Sequence, residues 1–354
     1  ISLLLGLFSQ YLPAQQIPHQ ILKSEVFKDE YKYSSKLLVG EDSDGGVVIV
    51  RSYRGGMFSS STGYYFEHYD SNMKLINEFE YSLKYSDVEK QSSVLGLFLN
   101  GNEVHIIDFL YNKKEKAYLC SSNTANISDF KFSKKELFRV NSDEIKQFGY
   151  FSMFSSGSFD NDSGASMIIN EDNSAFAITV DIKDKTEIHK LFLFDNNLNK
   201  KIEHTFKRDI KDRKFRYENI DVSKDGSSLY LLGKVYTDEK KKKKEGGKYQ
   251  YELTKITNDS EKTQVFDTDE HFAASLKTIV FQDRLVCIGL YSDRKDYCFK
   301  GISYFELDPV TLEIKKIKYS PFTEQFIIDK YGKEKDKELK NLSFKKILIT
   351  ENND

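Results

Sequence analysis

The sequence predicts an all-β fold, a β-propeller-like array of four-stranded antiparallel blades, about five of them with the start of a sixth. Three observations predict it. Short runs rich in Val, Ile, Leu, Phe and Tyr recur along the 354 residues, polar turns of Asp, Asn, Ser and Gly separate them, and the turns mark a unit that repeats. β-Branched and aromatic residues suit a pleated, half-buried surface, while Asn-Gly and Asp-Gly accept the positive φ that tight hairpins need. No unit of this kind buries both faces alone, so neighbours must stack, and closing a ring limits exposed edges. A pair of β-sandwiches or an irregular β-solenoid shares the alternation and stays open at this point.

The first unit places strands at 36–41, 47–53, 63–69 and 74–81, with turns at Asp42-Ser43-Asp44-Gly45-Gly46 and Asp70-Ser71-Asn72. The second places them at 94–99, 103–110, 117–121 and 129–140. Strands at 166–170, 175–181, 187–194 and 200–206 make the third, and 219–222, 228–236, 249–256 and 263–266 the fourth. The fifth holds 276–281, 285–291, 297–307 and 313–319, and a sixth opens at Ser343. The first turns, marked by Gly45, Gly101, Asp172, Gly226, Asp283 and Asn353, lie 54 to 71 residues apart. Two polar insertions, 141–164 and 320–341, stretch the longer intervals; the charge-rich 333–340 stretch is where one or two helical turns are expected.

Composition bounds the function classes. The charge is nearly balanced, 53 Lys+Arg against 55 Asp+Glu, which gives no reason to expect nucleic acid or an anionic membrane as partner. Mean hydropathy is −0.55 and aromatic residues reach 14%, so neither a multi-span membrane protein nor a disordered chain is expected. ISLLLGLF at the start is too short to span a bilayer, which needs about 20 apolar residues. It matches the apolar part of an export signal, so residues 1–14 read as a signal-peptide remnant cleaved after Ala14 and 15–354 as the propeller-like domain, placed in the periplasm, at the cell surface or outside. At the other end 343–350 reads as a strand left in mid-hairpin, so the chain is expected to continue beyond Asp354.

DVSKDGSSLYLLG, with Ser223, Asp225, Gly226, Leu229 and Tyr230, resembles the S-x-D-G-x-x-L-Y strand–turn–strand unit of TolB-like bacterial periplasmic propellers. Asp44-Gly45 and Asn100-Gly101 are looser copies. The whole chain also resembles, in its Lys-, Asn- and Tyr-rich style, secreted propeller-like proteins of the Bacteroidota. The resemblance implies a structural motif that makes the hairpin and carries no chemistry.

Motifs for chemistry are sparse. The histidines His19, His68, His105, His189, His204 and His271 form no H-E-x-x-H or H-x-H pair, and no cofactor or metal is expected. Asp160, Asp162 and Glu171 imitate the spacing of a calcium loop, but Ala165 stands where that loop needs glycine. No G-x-S-x-G, P-loop or G-x-G-x-x-G occurs, so no catalytic residue is assigned. Of the three cysteines, Cys287 and Cys298 flank a hairpin and are candidates for a cross-strand disulfide, with two buried thiols as the alternative. The lysine run at 240–244 reads as a solvated loop tip or as a basic cluster for an acidic partner.

The candidate ligand surface is SYRGGMFSSSTGYY at 52–65, where Tyr53, Arg54, Phe58, Tyr64 and Tyr65 set aromatic rings and a cation beside Gly and Ser. Such a mix favours a protein or glycan partner, because tyrosine offers area together with a polar tip. The expected function is therefore non-catalytic binding at the bacterial envelope. The alternatives are a glycan-active hydrolase or lyase, or a propeller serving a catalytic domain that follows.

Overall fold

The computed structural model describes residues 21–27, 33–54, 62–83, 92–145, 164–211, 214–236, 249–266, 271–293 and 299–331, with 339, 342 and 347. Its described residues form five four-stranded antiparallel sheets, each a meander of strands consecutive in sequence, the blades of a β-propeller. Residues Ile1–Leu83 make one compact unit, which holds the first sheet, and Lys84–Asp354 a second, which holds the other four.

The first sheet is β1 (Tyr33–Glu41), β2 (Val47–Arg54), β3 (Thr62–Tyr69) and β4 (Leu75–Ser82). In the second unit the sheets are β5 (Ser92–Asn100), β6 (Glu103–Asn112), β7 (Ala117–Asn126) and β8 (Ser133–Asn141); then β9 (Ala165–Ile169), β10 (Ala175–Asp181), β11 (Thr186–Asp195) and β12 (Lys200–Lys211). They continue with β13 (Phe215–Val222), β14 (Leu229–Tyr236), β15 (Tyr249–Ile256) and β16 (Glu261–Phe266), and with β17 (Phe272–Phe281), β18 (Arg284–Ser292), β19 (Gly301–Leu307) and β20 (Ile314–Pro321). The sixth unit expected at Ser343, the signal segment at 1–14 and the lysine run at 240–244 lie outside the described residues.

Local chemistry sets the hairpins. Each turn between the first two strands of a sheet contains one residue of positive φ: Gly45, Gly101, Asn173, Gly226 or Gln282. Carboxylates and amides then hold the turns by accepting backbone N–H groups two to five residues on. Asp42 accepts from Asp44 and Gly46 at 2.8 and 2.7 Å, and Asp195 from Asn197 and Asn199 at 3.1 and 2.8 Å. Ser223, Asp225 and Ser227 form the same kind of closed loop in the turn that resembles the TolB-type unit.

Within the second unit, neighbouring sheets share apolar faces. Phe98, Phe109 and Phe138 meet Phe176, Phe192 and Phe194 between the β5–β8 and β9–β12 sheets, with Phe138 and Phe192 stacked at 3.7 Å. Leu191, Leu193 and Phe206 meet Phe215, Val222 and Leu231 at the next interface, and Leu232, Tyr251 and Leu253 meet Leu276, Cys287 and Phe305 at the third. Sheet faces that each serve a neighbour satisfy the stacking demand read from the sequence. The first strands are bulged in four of the five sheets, at 36/38, 94/96, 217/219 and 273/275. Bulges of this kind kink the strand and turn one carbonyl out of the ladder.

The helical turns expected at 333–340 lie outside the described residues apart from Leu339, and within the same 320–341 insertion the described residues hold a helix, α1 (Glu324–Tyr331). Thr323 starts it, its hydroxyl accepting the Phe326 N–H at 3.2 Å just past Pro321. One expectation needs correction: β7 runs five residues beyond the expected end at 121, because Ser122, Asn123 and Thr124 take side-chain hydrogen bonds instead of turning.

Candidate functional site

Alternation along the first sheet sets a cluster of charged and phenolic side chains on one face. Arg51 and Tyr53 of β2 share that face with Tyr65, Glu67 and Tyr69 of β3, since Arg51 pairs with Tyr65 and Tyr53 with Gly63. The Arg51 Nε donates to Glu67 Oε2 at 2.7 Å, and the Tyr69 hydroxyl donates to the other carboxylate oxygen at 2.5 Å. Tyr53 crosses β3 and donates to Glu80 Oε1 on β4 at 2.6 Å. Gly63 is what lets it cross, because a β-carbon there would lie 2.4 Å from the phenol oxygen. The Tyr53 and Tyr65 rings lie 4.7 Å apart. Burial, reinforced by the Glu67 carboxylate, pushes the Tyr69 hydroxyl up to about 12, so it stays a donor through the whole physiological range.

The structure therefore brings together two of the residues expected to bind, Tyr53 and Tyr65, and separates a third. Tyr64 points to the opposite face, 6.5 Å from the ring of Tyr81. Tyr53 and Tyr64 are 3% and 7% exposed and Tyr65 is half-buried, so they do not form the open aromatic patch that the loop's composition implies. Arg54 ends β2, while its side chain and all of Phe58 fall outside the described residues. Sequence reasoning missed Arg51, Glu67 and Glu80. The two-residue period from Arg51 to Tyr53 and from Tyr65 to Tyr69 was the available signal.

Residues 21–27 lie on this face without helix or strand. Phe27 meets Tyr65 edge-on at 5.5 Å, and the Arg51 guanidinium sits 4.6 Å above the Phe27 ring. The half-buried Ser24 donates its hydroxyl to the Glu25 carbonyl at 3.0 Å and lies beside the Tyr69 hydroxyl.

The second unit holds a different group of perturbed side chains. Lys234 of β14 is 8% exposed, its ammonium 3.5 Å from the centre of the Tyr249 ring and 5.2 Å from that of Tyr251. The carbonyl of Ala274, turned out by the bulge in β17, accepts from Lys234, Tyr249 and Tyr251 at 3.4, 3.2 and 3.2 Å. Burial pulls Lys234 down to about 8 and raises Glu218 on the bulge of β13. One interface away, His189 and Glu187 are joined at 2.5 Å with 4% and 5% side-chain exposure, and the Tyr217 ring lies 5.3 Å from His189. Both groups tie neighbouring sheets and are sealed from solvent.

Cys287 is fully buried against the third interface, where burial pushes its thiol up to about 12, and Cys298 lies outside the described residues. Among the described residues no three His, Cys, Asp or Glu side chains converge as a metal site would require. No helix among them is long and apolar enough to cross a membrane.

No protein-family model matches the chain, and no curated protein matches it. Solved structures similar to it include a post-proline cleaving enzyme from Rickettsia typhi, at 12% identity over 83% of this chain and 39% of that one, with a TM-score of 0.42. The β-propeller domain of the Trilobed protease from Pyrococcus furiosus is matched at 10% identity over 83% and 85%, with a TM-score of 0.36. The acylaminoacyl peptidase of Pyrococcus horikoshii is matched at 11% identity over 66% of this chain, with a TM-score of 0.36, and the chain spans about a third of that enzyme's length, 33%. Likeness at this level carries no argument about activity, and the propeller assignment stands on the five meander sheets themselves.

Proposed function

We propose that this chain is an exported, non-catalytic binding propeller that recognises a protein or glycan partner at the bacterial envelope through the polar face of its first sheet. The observation that carries the reading is the Tyr53–Tyr65 ring pair mounted on the Arg51–Glu67–Tyr69 chain of hydrogen bonds. The half-buried Tyr65, backed by the buried Tyr53, and the 24% exposed Arg51 guanidinium held by Glu67 are the groups this face offers a ligand, and side chains already fixed in place lose little further entropy on binding. Export rests on the apolar ISLLLGLF stretch. The buried titratable groups of the second unit bridge sheets, which gives them a structural task and leaves recognition to the first sheet.

The test is a surface-plasmon-resonance screen of the protein against envelope glycan fragments and a library of extended heptapeptides. We expect at least one saturable ligand whose affinity falls tenfold or more in Tyr65→Leu with the fold intact by circular dichroism. Chemical turnover of that ligand, or affinity indifferent to Tyr65, would reverse the reading.

A further inference from the structure

We propose that the face built by Arg51, Tyr53, Tyr65 and Tyr69 is a receptor for an extended peptide that presents a hydroxyl residue and, three positions later, an aromatic one, and that residues 24–27 of this chain occupy it until such a partner displaces them. The inference rests on the binding reading above and narrows it to a peptide.

Residues 21–27 behave as a bound ligand does. They adopt neither helix nor strand, and among the described residues no backbone–backbone hydrogen bond ties them to β1–β4. Ile21, Leu22 and Val26 are 69%, 41% and 88% exposed, so these side chains add nothing to the core of the domain they lie on. Within the stretch only Ser24 and Phe27 turn inward. That spacing of three is the repeat of an extended, polyproline-like strand docking one edge on a surface.

The receptor side is built to receive those two side chains. Arg51 caps the Phe27 ring from one side at 4.6 Å, Tyr65 meets it edge-on at 5.5 Å, and Tyr53 backs Tyr65 at 4.7 Å. Glu67 holds Arg51 and Tyr69 in place at 2.7 and 2.5 Å, so the walls keep their shape without the occupant. A cation over a ring and an edge-on ring pair are each weak contacts on their own. Contacts of that size give weak affinity, which a short tether compensates through an effective concentration near the millimolar range. An occupant held in this way yields to a partner that repeats its two anchors and adds contacts of its own.

The test uses the fluorescein-labelled heptapeptide ILKSEVF, the sequence of residues 21–27, followed by anisotropy against the full chain, Phe27→Ala, and Phe27→Ala/Tyr65→Leu. Phe27→Ala is expected to bind the peptide at least tenfold more tightly than the unaltered protein, the double variant to lose that gain, and the peptide ILKSEVA to bind none of them. Equal affinity of the unaltered protein and Phe27→Ala, no binding by a folded Phe27→Ala, or full retention by the double variant overturns the proposal. Should Phe27→Ala fail to fold, Phe27→Leu takes its place, and excess peptide must speed chymotryptic cleavage after Phe27 in the unaltered protein, because the ring leaves its place between Arg51 and Tyr65; unchanged cleavage counts against displacement. A ligand from the preceding screen that depends on Tyr65 but is indifferent to Phe27 leaves the binding reading standing and removes this one.

Discussion

Arg51 in the first sheet and Lys234 in the second unit are both cations facing aromatic rings, and their partners differ. Arg51 has a carboxylate within 2.7 Å and a ring above it. Lys234 has three tyrosine rings and a carbonyl at 3.4 Å, while Glu218 acts on it only through space. The guanidinium, hydrogen-bonded to its carboxylate, fixes the surrounding side chains. The ammonium, dehydrated among rings, is pulled down to about 8. A cation with a carboxylate is suited to hold a surface in shape for a ligand; one without is suited to pin two sheets and makes their joint sensitive to pH.

The comparison breaks most visibly if the carboxylate is removed. Glu67→Ala leaves Arg51 and the Tyr69 hydroxyl without their acceptor, and we expect a loss of about 2–3 kcal/mol by urea unfolding, at the lower side of buried pairs because Arg51 is 24% exposed. A change below about 0.5 kcal/mol would show that the pair does not organise this face. Lys234 behaves in the opposite sense. Its folded value near 8 lies below the ordinary 10.5, so stability is lost as pH falls through 8 and regained as pH climbs toward 10. We expect a gain of about 1–2 kcal/mol over that window, and none in Lys234→Met, which should equal or exceed the unaltered protein at pH 7. The smallest effect sharpens the contrast from the acid side. Asp221 of β13 accepts the Val280 N–H at 2.8 Å across to β17, yet burial raises it from 3.8 to about 6. Its contribution is present below pH 4 and lost as pH rises through 6, so Asp221→Asn should flatten that decline and gain about 1 kcal/mol at pH 7 in thermal unfolding.

Most of the architecture was legible because it depends on neighbours in sequence. Alternating apolar residues and Asp, Asn or Gly turns placed β2 at 47–53 and β10 at 175–181 within a residue of their observed bounds. β7 was cut short because Ser-Ser-Asn-Thr reads as a turn; in the fold Ser122 bonds Thr124 at 3.0 Å and Asn123 bonds Asp108 at 3.0 Å, partners that no local pattern reveals. The site was legible in half. The aromatic loop pointed to Tyr53 and Tyr65, but the pairing register decided that Tyr64 faces away and that Arg51, Glu67 and Glu80 belong with them.

The sequence by itself determined the strands, their grouping in fours and the turns between first and second strands, because φ preferences and two-residue alternation act over a few residues. Only the tertiary structure decided the backbone conformation of several turns between third and fourth strands, whose Asp and Asn residues the sequence had already marked. There Phe130, Leu198 and Leu312 adopt positive φ, at 46°, 63° and 60°, although bulky residues disfavour it. That backbone costs about 1–2 kcal/mol, and full burial of such a side chain returns about 1.5–3. Leu198 and Leu312 are 9% and 0% exposed in the cores shared by neighbouring sheets, so a contact distant in sequence overrides the local preference.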